Sequence, residues 1–304
     1  MGNKEHLTVG NRRLEVSNLD KVFYPDTGFT KGDMIGYYRD IAPLVLPYLK
    51  RRPVTLKRYP DGVTGNFFYE KRCPPHRPDW VGTIKMLRQR DGKDVEYCAI
   101  GSVAALLWAA NLGNLELHST LARTPDLDRP TSVVFDLDPG PPANVIDCAE
   151  VALRLREVLG QLGLDCLCKT SGSKGMQLYV PLNTKISYER TSAFALSIAN
   201  QLHDETPDKI VVKMKKELRE GKVLIDWSQN DGHKTTVCVY SLRARPRPTV
   251  SMPLEWDELE RARTKREPDL LVFESHEVLP RVEKLGDLFA PVGKVRQKLP
   301  SLES

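Results

Sequence analysis

Apolar positions divide the chain into short mixed elements followed by longer, more regular ones. Before residue 130, helical spacing predicts a helix over 31–49 that begins after the N-cap Thr30, and a buried helix over 102–112. Segments with strand character lie at 13–17, 54–59, 66–71 and 115–118. The run Arg90-Asp91-Gly92-Lys93 separates two alternating segments, which is typical of a hairpin.

From residue 131 onward the pattern is more regular. Predicted helices cover 145–162 and 188–205, and two charged helices cover 255–264 and 275–285. Predicted strands cover 133–137, 166–170, 176–180, 210–214, 223–227 and 236–241. The loop 171–175 joins two strands directly, which favours an α+β fold with a mixed sheet over a doubly wound one.

Composition narrows the class of protein. The 304 residues are 40% hydrophobic and 28% charged, which is typical of a globular protein with a sizeable core. No apolar run approaches the ~20 residues of a membrane helix, and the N-terminus has no apolar region resembling a signal peptide. We therefore expect a cytoplasmic protein. Of the six cysteines, Cys166 and Cys168 are expected to be buried, reduced thiols.

The net charge of +5 is modest, but its distribution is uneven. Cationic residues flank the strand at 223–227, and they are Lys209, Lys213, Lys215, Lys216, Arg219, Lys222, Arg243, Arg245 and Arg247. A cationic groove of this kind suits a polyanionic substrate whose binding depends on salt. A solvated helix face is the alternative interpretation of the lysine run.

Two apolar strands end in carboxylates. Asp136 and Asp138 terminate the first, and Asp226 terminates the second. Residues i and i+2 of a strand point to the same face, roughly 6.6 Å apart, so Asp136 and Asp138 can bind the same ions. A third carboxylate would complete a site for two divalent cations about 3.5–4 Å apart, which serves phosphoryl or nucleotidyl transfer.

The loop Ser171-Gly-Ser-Lys174-Gly175 offers small residues, hydroxyls and one lysine for wrapping phosphate oxygens. It is not a Walker loop, and by itself an ordinary turn explains it equally well. His118 ends a strand shortly before the paired aspartates, although a lone histidine is more often structural. Phe67, Phe68 and Tyr69 offer rings for base stacking, although such a triplet more often belongs to a core.

Several ordered motifs together resemble one family. They are Phe135-Asp136-Leu-Asp138-Pro-Gly, Thr170-Ser-Gly-Ser-Lys-Gly175, Val223-Leu-Ile-Asp226-Trp-Ser, Tyr240-Ser-Leu-Arg243, Ser17-Asn-Leu-Asp-Lys21 and Arg52-Pro-Val-Thr-Leu-Lys57-Arg58. The chain is similar from about residue 7 to 290 to the polymerase domain of bacterial ligase D, in the archaeo-eukaryotic primase superfamily. The resemblance implies a primase-polymerase fold, with an antiparallel or mixed catalytic sheet, flanking helices and an N-terminal α/β module packed against it.

The resemblance also implies an organisation and residue roles. Residues 1–304 would form one domain, with an N-terminal module to about 130, a catalytic module to about 290 and a tail over 291–304. Asp136, Asp138 and Asp226 resemble ligands of two Mn²⁺ or Mg²⁺ ions, with manganese expected to be preferred. Residues resembling nucleotide contacts are His118, Ser171, Lys174, Gln177, Arg243 and Lys57. Residues resembling contacts to the 5′-phosphate and template are Asn18, Lys21, Lys31, Phe68, Tyr69 and Arg219.

The function implied is nucleotidyl transfer at DNA ends in non-homologous end joining. The expected partners are DNA with a gap or 3′ overhang and a 5′-phosphate, NTPs in preference to dNTPs, a DNA ligase and a Ku-type end-binding protein, at the nucleoid. A loop with Arg88, Arg90 and Lys93 would help to bring two ends together. Gln177 departs from the histidine that the family commonly has there, and glutamine cannot be cationic.

Three other functions fit parts of the sequence. An aspartyl-phosphate phosphatase also opens with a strand that ends in Asp-x-Asp, but here Pro139 follows. A metal-dependent glycosyltransferase leaves Asp226 and the glycine loop unexplained. A non-catalytic DNA end-bridging module would make all three carboxylates dispensable. The sequence does not decide whether the chain is complete or part of a longer ligase, or which nucleotide sugar it selects.

Overall fold

Two six-stranded sheets dominate the computed structural model, which describes residues 4–87 and 92–301. In chain order the strands are β1 (Lys4–Val9), β2 (Arg12–Ser17), β3 (Val22–Tyr24), β4 (Phe29–Thr30), β5 (Val54–Arg58), β6 (Phe68–Glu70), β7 (Thr83–Leu87), β8 (Asp94–Cys98), β9 (Asn114–Ser119), β10 (Ala122–Arg123), β11 (Asp126–Pro130), β12 (Ser132–Pro139), β13 (Leu167–Thr170), β14 (Met176–Pro181), β15 (Ile210–Val211), β16 (Val223–Asp226), β17 (Thr236–Val237) and β18 (Pro253–Leu254). The α-helices are α1 (Lys31–Asp40), α2 (Ala42–Leu49), α3 (Val103–Asn111), α4 (Val145–Gln161), α5 (Tyr188–Glu205), α6 (Trp256–Lys265) and α7 (Val278–Leu285).

The first large sheet, sheet A, has the order β15-β16-β12-β14-β13-β18. Its strands pair antiparallel except for β15 and β16, which are parallel. Sheet B has the order β17-β9-β5-β8-β7, and β6 pairs with β5. The remaining strands form the pairs β1-β2, β3-β4 and β10-β11. The predicted α+β class with a mixed catalytic sheet is confirmed.

Each large sheet has its own hydrophobic core. Sheet A contributes buried residues such as Phe135 and Leu178 to one cluster, which α4, α5 and α6 complete. Sheet B and helices α1, α2 and α3 supply most of a second cluster, which also contains apolar residues from the segment 238–252. The boundary at about residue 130, between an N-terminal module and a catalytic module, stays a prediction. The tail contacts sheet A, because the Gln297 amide donates to the carbonyl oxygen of Pro181 at 2.8 Å.

The predicted helix over 31–49 is wrong in one respect, because it is two helices separated at Ile41. Thr30 caps α1 as expected, and it forms a capping box with Asp33. Pro43 has no N–H to donate to the carbonyl of Arg39, so the helical hydrogen bonding cannot continue through this point. The chain therefore starts a new helix at Ala42, with the proline in its first turn, where a missing N–H costs little.

Other elements differ from prediction mainly in length. The strand predicted over 210–214 contains only Ile210 and Val211, because the exposed residues from 213 onward have no partner strand within the described part of the chain. The helix predicted over 275–285 begins with a 3₁₀ turn and becomes α-helical at Val278. None of the helices in residues 4–87 and 92–301 has both the length and the apolar character needed to cross a bilayer.

The cysteines have two different states. Cys166 and Cys168 are free and buried, as expected. Cys73 and Cys98 form a disulfide across 25 residues of chain, with their Cα atoms 4.8 Å apart. This bond ties the segment that follows β6 to strand β8. The pairing was not predicted, because nothing in the spacing of the six cysteines singles it out.

Candidate active site

Asp136 and Asp138 lie at the end of β12, the strand that has β14 on one side and β16 on the other. Asp136 is paired in register with Gln177 of β14 and with Asp226 of β16. The alternation of a strand places Asp136 and Asp138 on one face, and both line a cavity of about 520 Å³. The structure therefore brings Asp136, Asp138 and Asp226, the aspartate cluster, together on one face of sheet A.

Nearby positive charges do not offset the burial and mutual repulsion of these carboxylates. Burial raises the pKa of Asp136, and the negative charges of Asp138 and Asp226 raise it further. Loss of hydration in the cavity likewise raises the pKa of Asp138, and Asp226 adds to the effect. Hydrogen bonding from Gln177 opposes the shift of Asp136 only in part. Divalent cations would relieve this repulsion, and carboxylate oxygens are ligands that Mg²⁺ and Mn²⁺ prefer.

Asp226 is held by the turn that follows it. Its Oδ1 accepts hydrogen bonds from the Ser228 N–H at 2.9 Å and the Ser228 hydroxyl at 2.5 Å, and its Oδ2 accepts from the Gln229 amide at 2.8 Å. Within residues 4–87 and 92–301 no group of three His, Cys, Asp or Glu side chains is arranged to hold a metal ion. A carboxylate has about four lone-pair positions, so Asp226 keeps capacity for a further ligand. The oxygen chemistry of Asp136, Asp138 and Asp226, rather than their present spacing, fits a cation.

The glycine loop closes over the end of β12. Ser171 Oγ accepts hydrogen bonds from the N–H groups of Ser173 and Gly175, both at 3.2 Å. A Cβ atom on Gly175 would lie 1.9 Å from the Leu137 carbonyl oxygen, so only glycine allows this close approach to the strand. Ser171, Ser173 and Lys174 line the same cavity as Asp136 and Asp138. The predicted strand-loop-strand arrangement is confirmed.

A histidine and an arginine among the predicted nucleotide contacts line the same cavity from other elements. His118 extends from β9, and Arg243 follows β17 in the chain. The Arg243 guanidinium donates to the carbonyl oxygen of Ser171, which fixes it against the glycine loop. Burial lowers the pKa of His118, and the hydrogen bond with Glu116 opposes that shift. Lys57 lies behind them, with its Nζ 3.2 Å from Glu116 Oε1.

Gln177 connects the carboxylates to a buried lysine. The Gln177 Oε1 accepts a 2.6 Å hydrogen bond from Lys169 Nζ, which also donates to Ser251 Oγ at 2.7 Å. The Gln177 side chain in turn bonds to Asp136. Lys169 is completely buried, and that burial lowers its pKa. Gln177 is thus held from behind and presents its amide to the predicted metal ligand.

Comparison with known proteins assigns the chain to a family. Residues 30–289 match the family "LigD, primase-polymerase domain". The chain belongs to the LigD primase-polymerase domain family. The match covers most of the chain, and the ordered motifs of the sequence had indicated the same family.

Full-length relatives of the LigD primase-polymerase family are much longer than this chain. The multifunctional non-homologous end joining protein LigD of Mycolicibacterium smegmatis is 40% identical over 284 residues, which are 92% of this chain and 36% of that protein. The bifunctional LigD of Bacillus subtilis is 32% identical over 275 residues, 90% of this chain and 43% of that protein. The chain thus spans less than half the length of these relatives.

A solved structure supports both the fold and the enzyme class. It is the polymerase domain of Mycobacterium tuberculosis ligase D in complex with DNA, which is 37% identical to this chain. The match covers 94% of this chain and all of that one, with a TM-score of 0.86. The predicted primase-polymerase fold and an enzyme of the polymerase type are therefore confirmed, whereas the roles of individual residues stay predictions.

The predicted 5′-phosphate residues of this LigD family member form a cluster at the start of α1. The Lys21 N–H donates to the Asn18 carbonyl oxygen at 3.1 Å, and the Lys31 N–H donates to the Lys21 carbonyl oxygen at 2.8 Å. Lys21 forms an ion pair with Asp61 at 2.6 Å. Lys31 is buried and donates to the Ser17 carbonyl oxygen, and burial, with the charge of Lys21, lowers its pKa to about 8.

The aromatic residues of β6 are exposed, as a stacking platform requires. Phe68 is 44% and Tyr69 is 57% exposed. Tyr69 also lines the cavity, with its ring centroid 6.1 Å from that of His118. Arg219 lies beside the carboxylates, since its charge lowers the pKa of Asp138. Arg88 and Arg90 of the predicted end-joining loop lie outside the described residues.

Several polar residues of the site were not found from the sequence. The cavity is also lined by Thr55, Gln229, His233 and Lys234, and Glu116 and Lys169 lie directly behind its walls. One signal was present for Glu116, because it lies two positions before His118 and therefore on the same face of the strand. A glutamate inside Leu-Glu-Leu-His is unusual for a buried strand.

Proposed function

We propose that the chain is a metal-dependent, DNA-directed nucleotidyltransferase that fills gaps or extends DNA ends during non-homologous end joining, with NTPs preferred over dNTPs. One observation carries the proposal: a single cavity combines Asp136 and Asp138 with the glycine loop, His118 and Arg243. Its volume of about 520 Å³ falls within the range of small-molecule sites. A nucleoside triphosphate has both the size and the charge that this lining suits.

The triphosphate would bind against the glycine loop, beside the aspartates. Lys174 and Arg243 offer positive charge, and His118 adds a ring nitrogen. The backbone of the glycine loop is already held by Ser171 Oγ, so its geometry does not have to form when the ligand binds. In this position the α-phosphate faces Asp136 and Asp138. The 3′-hydroxyl oxygen of a primer would attack that phosphorus, and pyrophosphate would leave.

Asp136, Asp138 and Asp226 would hold two divalent cations, Mn²⁺ or Mg²⁺. When bound, such ions lower the pKa of the attacking hydroxyl and neutralise the negative charge of the leaving group. The chain prepares these ligands through its own contacts. Gln177 orients Asp136 from β14, and Ser228 and Gln229 fix the carboxylate of Asp226. Partners of this kind typically change metal affinity or activity 10–100-fold.

DNA would contact the chain through two further regions. Asn18, Lys21 and Lys31 would bind the 5′-phosphate on the downstream side of a gap, and the partial loss of charge on Lys31 would be reversed by an anion beside it. Phe68 and Tyr69 would stack on template bases, each stack contributing ~1–3 kcal/mol. The similar domain of M. tuberculosis ligase D is known in complex with DNA, which supports this part of the proposal.

The wider role follows from the longer relatives. Their names describe non-homologous end joining proteins. We therefore extend the proposal to a DNA ligase and a Ku-type end-binding protein as partners, at the nucleoid. The preference for NTPs rests on the family resemblance alone.

Primer extension tests the proposal directly. The substrate is a gapped duplex with a downstream 5′-phosphate, with Mn²⁺ and either NTPs or dNTPs, and Asp138→Ala serves as the control. We expect extension by the native chain, faster with NTPs, and none by the variant. Extension that survives Asp138→Ala would refute the metal assignment. DNA binding without any extension would favour an end-bridging module instead.

A further inference from the structure

A buried carboxylate behind the cavity contacts three of the predicted nucleotide-binding residues. Glu116 is 1% exposed. Its Oε2 lies 2.9 Å from His118 Nε2 and 3.3 Å from Arg243 Nε, and its Oε1 lies 3.2 Å from Lys57 Nζ. These partners come from positions 57, 118 and 243, so one side chain links β5, β9 and the segment that follows β17.

Neutral groups fix the orientation of the same carboxylate. The Tyr59 hydroxyl and the Ala244 N–H both donate to Glu116 Oε1, at 3.3 and 3.1 Å. Both Glu116 oxygens are therefore engaged by groups on more than one element, and the carboxylate has one position. The Ala244 bond holds the backbone directly after Arg243, so Glu116 restrains this arginine at its main chain as well as at its guanidinium.

The charges of the cluster do not cancel. One negative charge on Glu116 faces the positive charges of Lys57 and Arg243, together with a histidine. A net positive charge remains, and the members that line the cavity are His118 and Arg243. Glu116 thus reduces the repulsion between cations that must lie close together, without removing their attraction for an anion.

We propose that Glu116 is the positioning residue of the triphosphate site, which holds His118 and Arg243 at the spacing that the phosphates of an incoming nucleotide require. The inference rests on the proposed function and deepens it. Glu116 does not line the cavity, so it acts through its partners and not on the nucleotide. Side chains that are held in place before binding lose little conformational entropy when the ligand binds. The entropic cost of binding is therefore smaller and the affinity is higher.

The Glu116 cluster also contacts the aromatic segment of the template side. Lys57 Nζ lies 4.7 Å from the ring centroid of Phe67 and 5.5 Å from that of Tyr69. Arg243 continues the cluster in the other direction, to the Ser171 carbonyl of the glycine loop. Glu116 therefore lies between the two surfaces that an incoming nucleotide must contact together, its phosphate site and its base-pairing site.

Glu116→Gln tests the inference, because it keeps the shape and removes the charge. Two measurements are made: binding of inorganic triphosphate to the DNA-free protein, and the KM for nucleotide against the KM for DNA in primer extension. We expect weaker triphosphate binding and a nucleotide KM raised about 10–100-fold, with the KM for DNA unchanged. Glu116→Asp keeps the charge and should fall between the native chain and Glu116→Gln. It also serves if Glu116→Gln does not fold.

Glu258→Gln is the matched control. Glu258 of α6 forms a largely buried ion pair with Arg281 of α7, and the substitution removes the same carboxylate charge as Glu116→Gln. It should lower stability without changing triphosphate binding. Native triphosphate binding and nucleotide KM in folded Glu116→Gln and Glu116→Asp would overturn the inference. Weaker binding in the Glu116 variants with no primer extension by the native chain would instead refute the proposed function and leave the positioning role intact.

Discussion

Asp136 and Glu116 lie on different sheets beside the same cavity, and their charges are balanced in opposite ways. Burial raises the pKa of Asp136, the charges of Asp138 and Asp226 raise it further, and the Gln177 hydrogen bond and the charge of Lys169 oppose the shift only in part. Burial alone would also raise the pKa of Glu116, but the hydrogen bond with His118 and the charges of Arg243 and Lys57 together hold that pKa well below its usual range. The charge of Asp136 is thus only partly compensated, whereas Glu116 is stabilised in its ionised form.

The difference separates what the protein completes by itself from what it leaves to a ligand. A carboxylate surrounded by cations is satisfied in the free protein and acts as a scaffold. Carboxylates that repel each other in a cavity cost stability unless a cation binds there, and such perturbed groups are typical of functional sites. The aspartate cluster of sheet A is therefore suited to bind cations, and the Glu116 cluster of sheet B is suited to position groups that bind an anion.

The largest effect is expected from Asp136→Asn, which removes one negative charge from the aspartate cluster, where the repulsion between carboxylates is only partly compensated. Activity should fall by more than about 100-fold, because loss of a metal ligand should exceed the 10–100-fold typical of its supporting partners. The metal-free protein should nevertheless become more stable at neutral and alkaline pH. The raised pKa means that folding favours the protonated form, so the stabilising proton is present at low pH and is lost as pH rises through that pKa.

Thermal unfolding in chelator measures this gain. The variant should unfold at a higher temperature than the native chain at about pH 8, and the gap should close at about pH 4, near the ordinary pKa of aspartate. Added Mn²⁺ should stabilise the native chain more than Asp136→Asn. A variant that is less stable than the native protein at about pH 8 would show that Asp136 is compensated after all.

Glu116→Gln should change stability in the opposite direction. Removing one partner of a buried ionic cluster typically costs about 3–5 kcal/mol. The lowered pKa means that the ionised form stabilises the fold above the unfolded pKa, and this contribution is lost as pH falls through the folded value. Denaturant unfolding at neutral pH should therefore show a large loss of stability, smaller at about pH 3. Equal stability at neutral pH would contradict the scaffold role.

The sequence predicted one of these two acidic groups and not the other. Asp136 and Asp138 could be found because both belong to one strand, and the alternation of a strand fixes their common face. Lys57 and Arg243, the charged partners of Glu116 outside its own strand, are brought to it only by tertiary folding. The same reason explains the unpredicted disulfide between Cys73 and Cys98. The break at Ile41, by contrast, has a local cause in Pro43 that the helical spacing obscured.

Gln177 offers a finer test of the aspartate cluster, because its neutral side chain partly stabilises ionised Asp136. Gln177→Leu removes the donor to Asp136 and the acceptor of Lys169. We expect about 10-fold weaker activation by Mn²⁺ in a metal titration of primer extension, at the lower end of the range for such partners. Gln177→His keeps a ring nitrogen that can accept from Lys169 and should be affected less. Equal loss in both variants would show that shape, not hydrogen bonding, matters at this position.

The smallest effect is expected from Tyr59→Phe, which removes one neutral donor from the Glu116 cluster. The Tyr59 hydroxyl lies 3.3 Å from Glu116 Oε1, which also accepts from the Ala244 N–H and contacts Lys57. Because the carboxylate keeps those partners, the loss of stability should be about 1 kcal/mol, and the nucleotide KM should stay within about twofold of native, since the cations keep their positions. Denaturant unfolding and primer extension measure both quantities. A nucleotide KM raised as far as in Glu116→Gln would mean that the hydroxyl, and not the charge of Glu116, determines the position of His118 and Arg243.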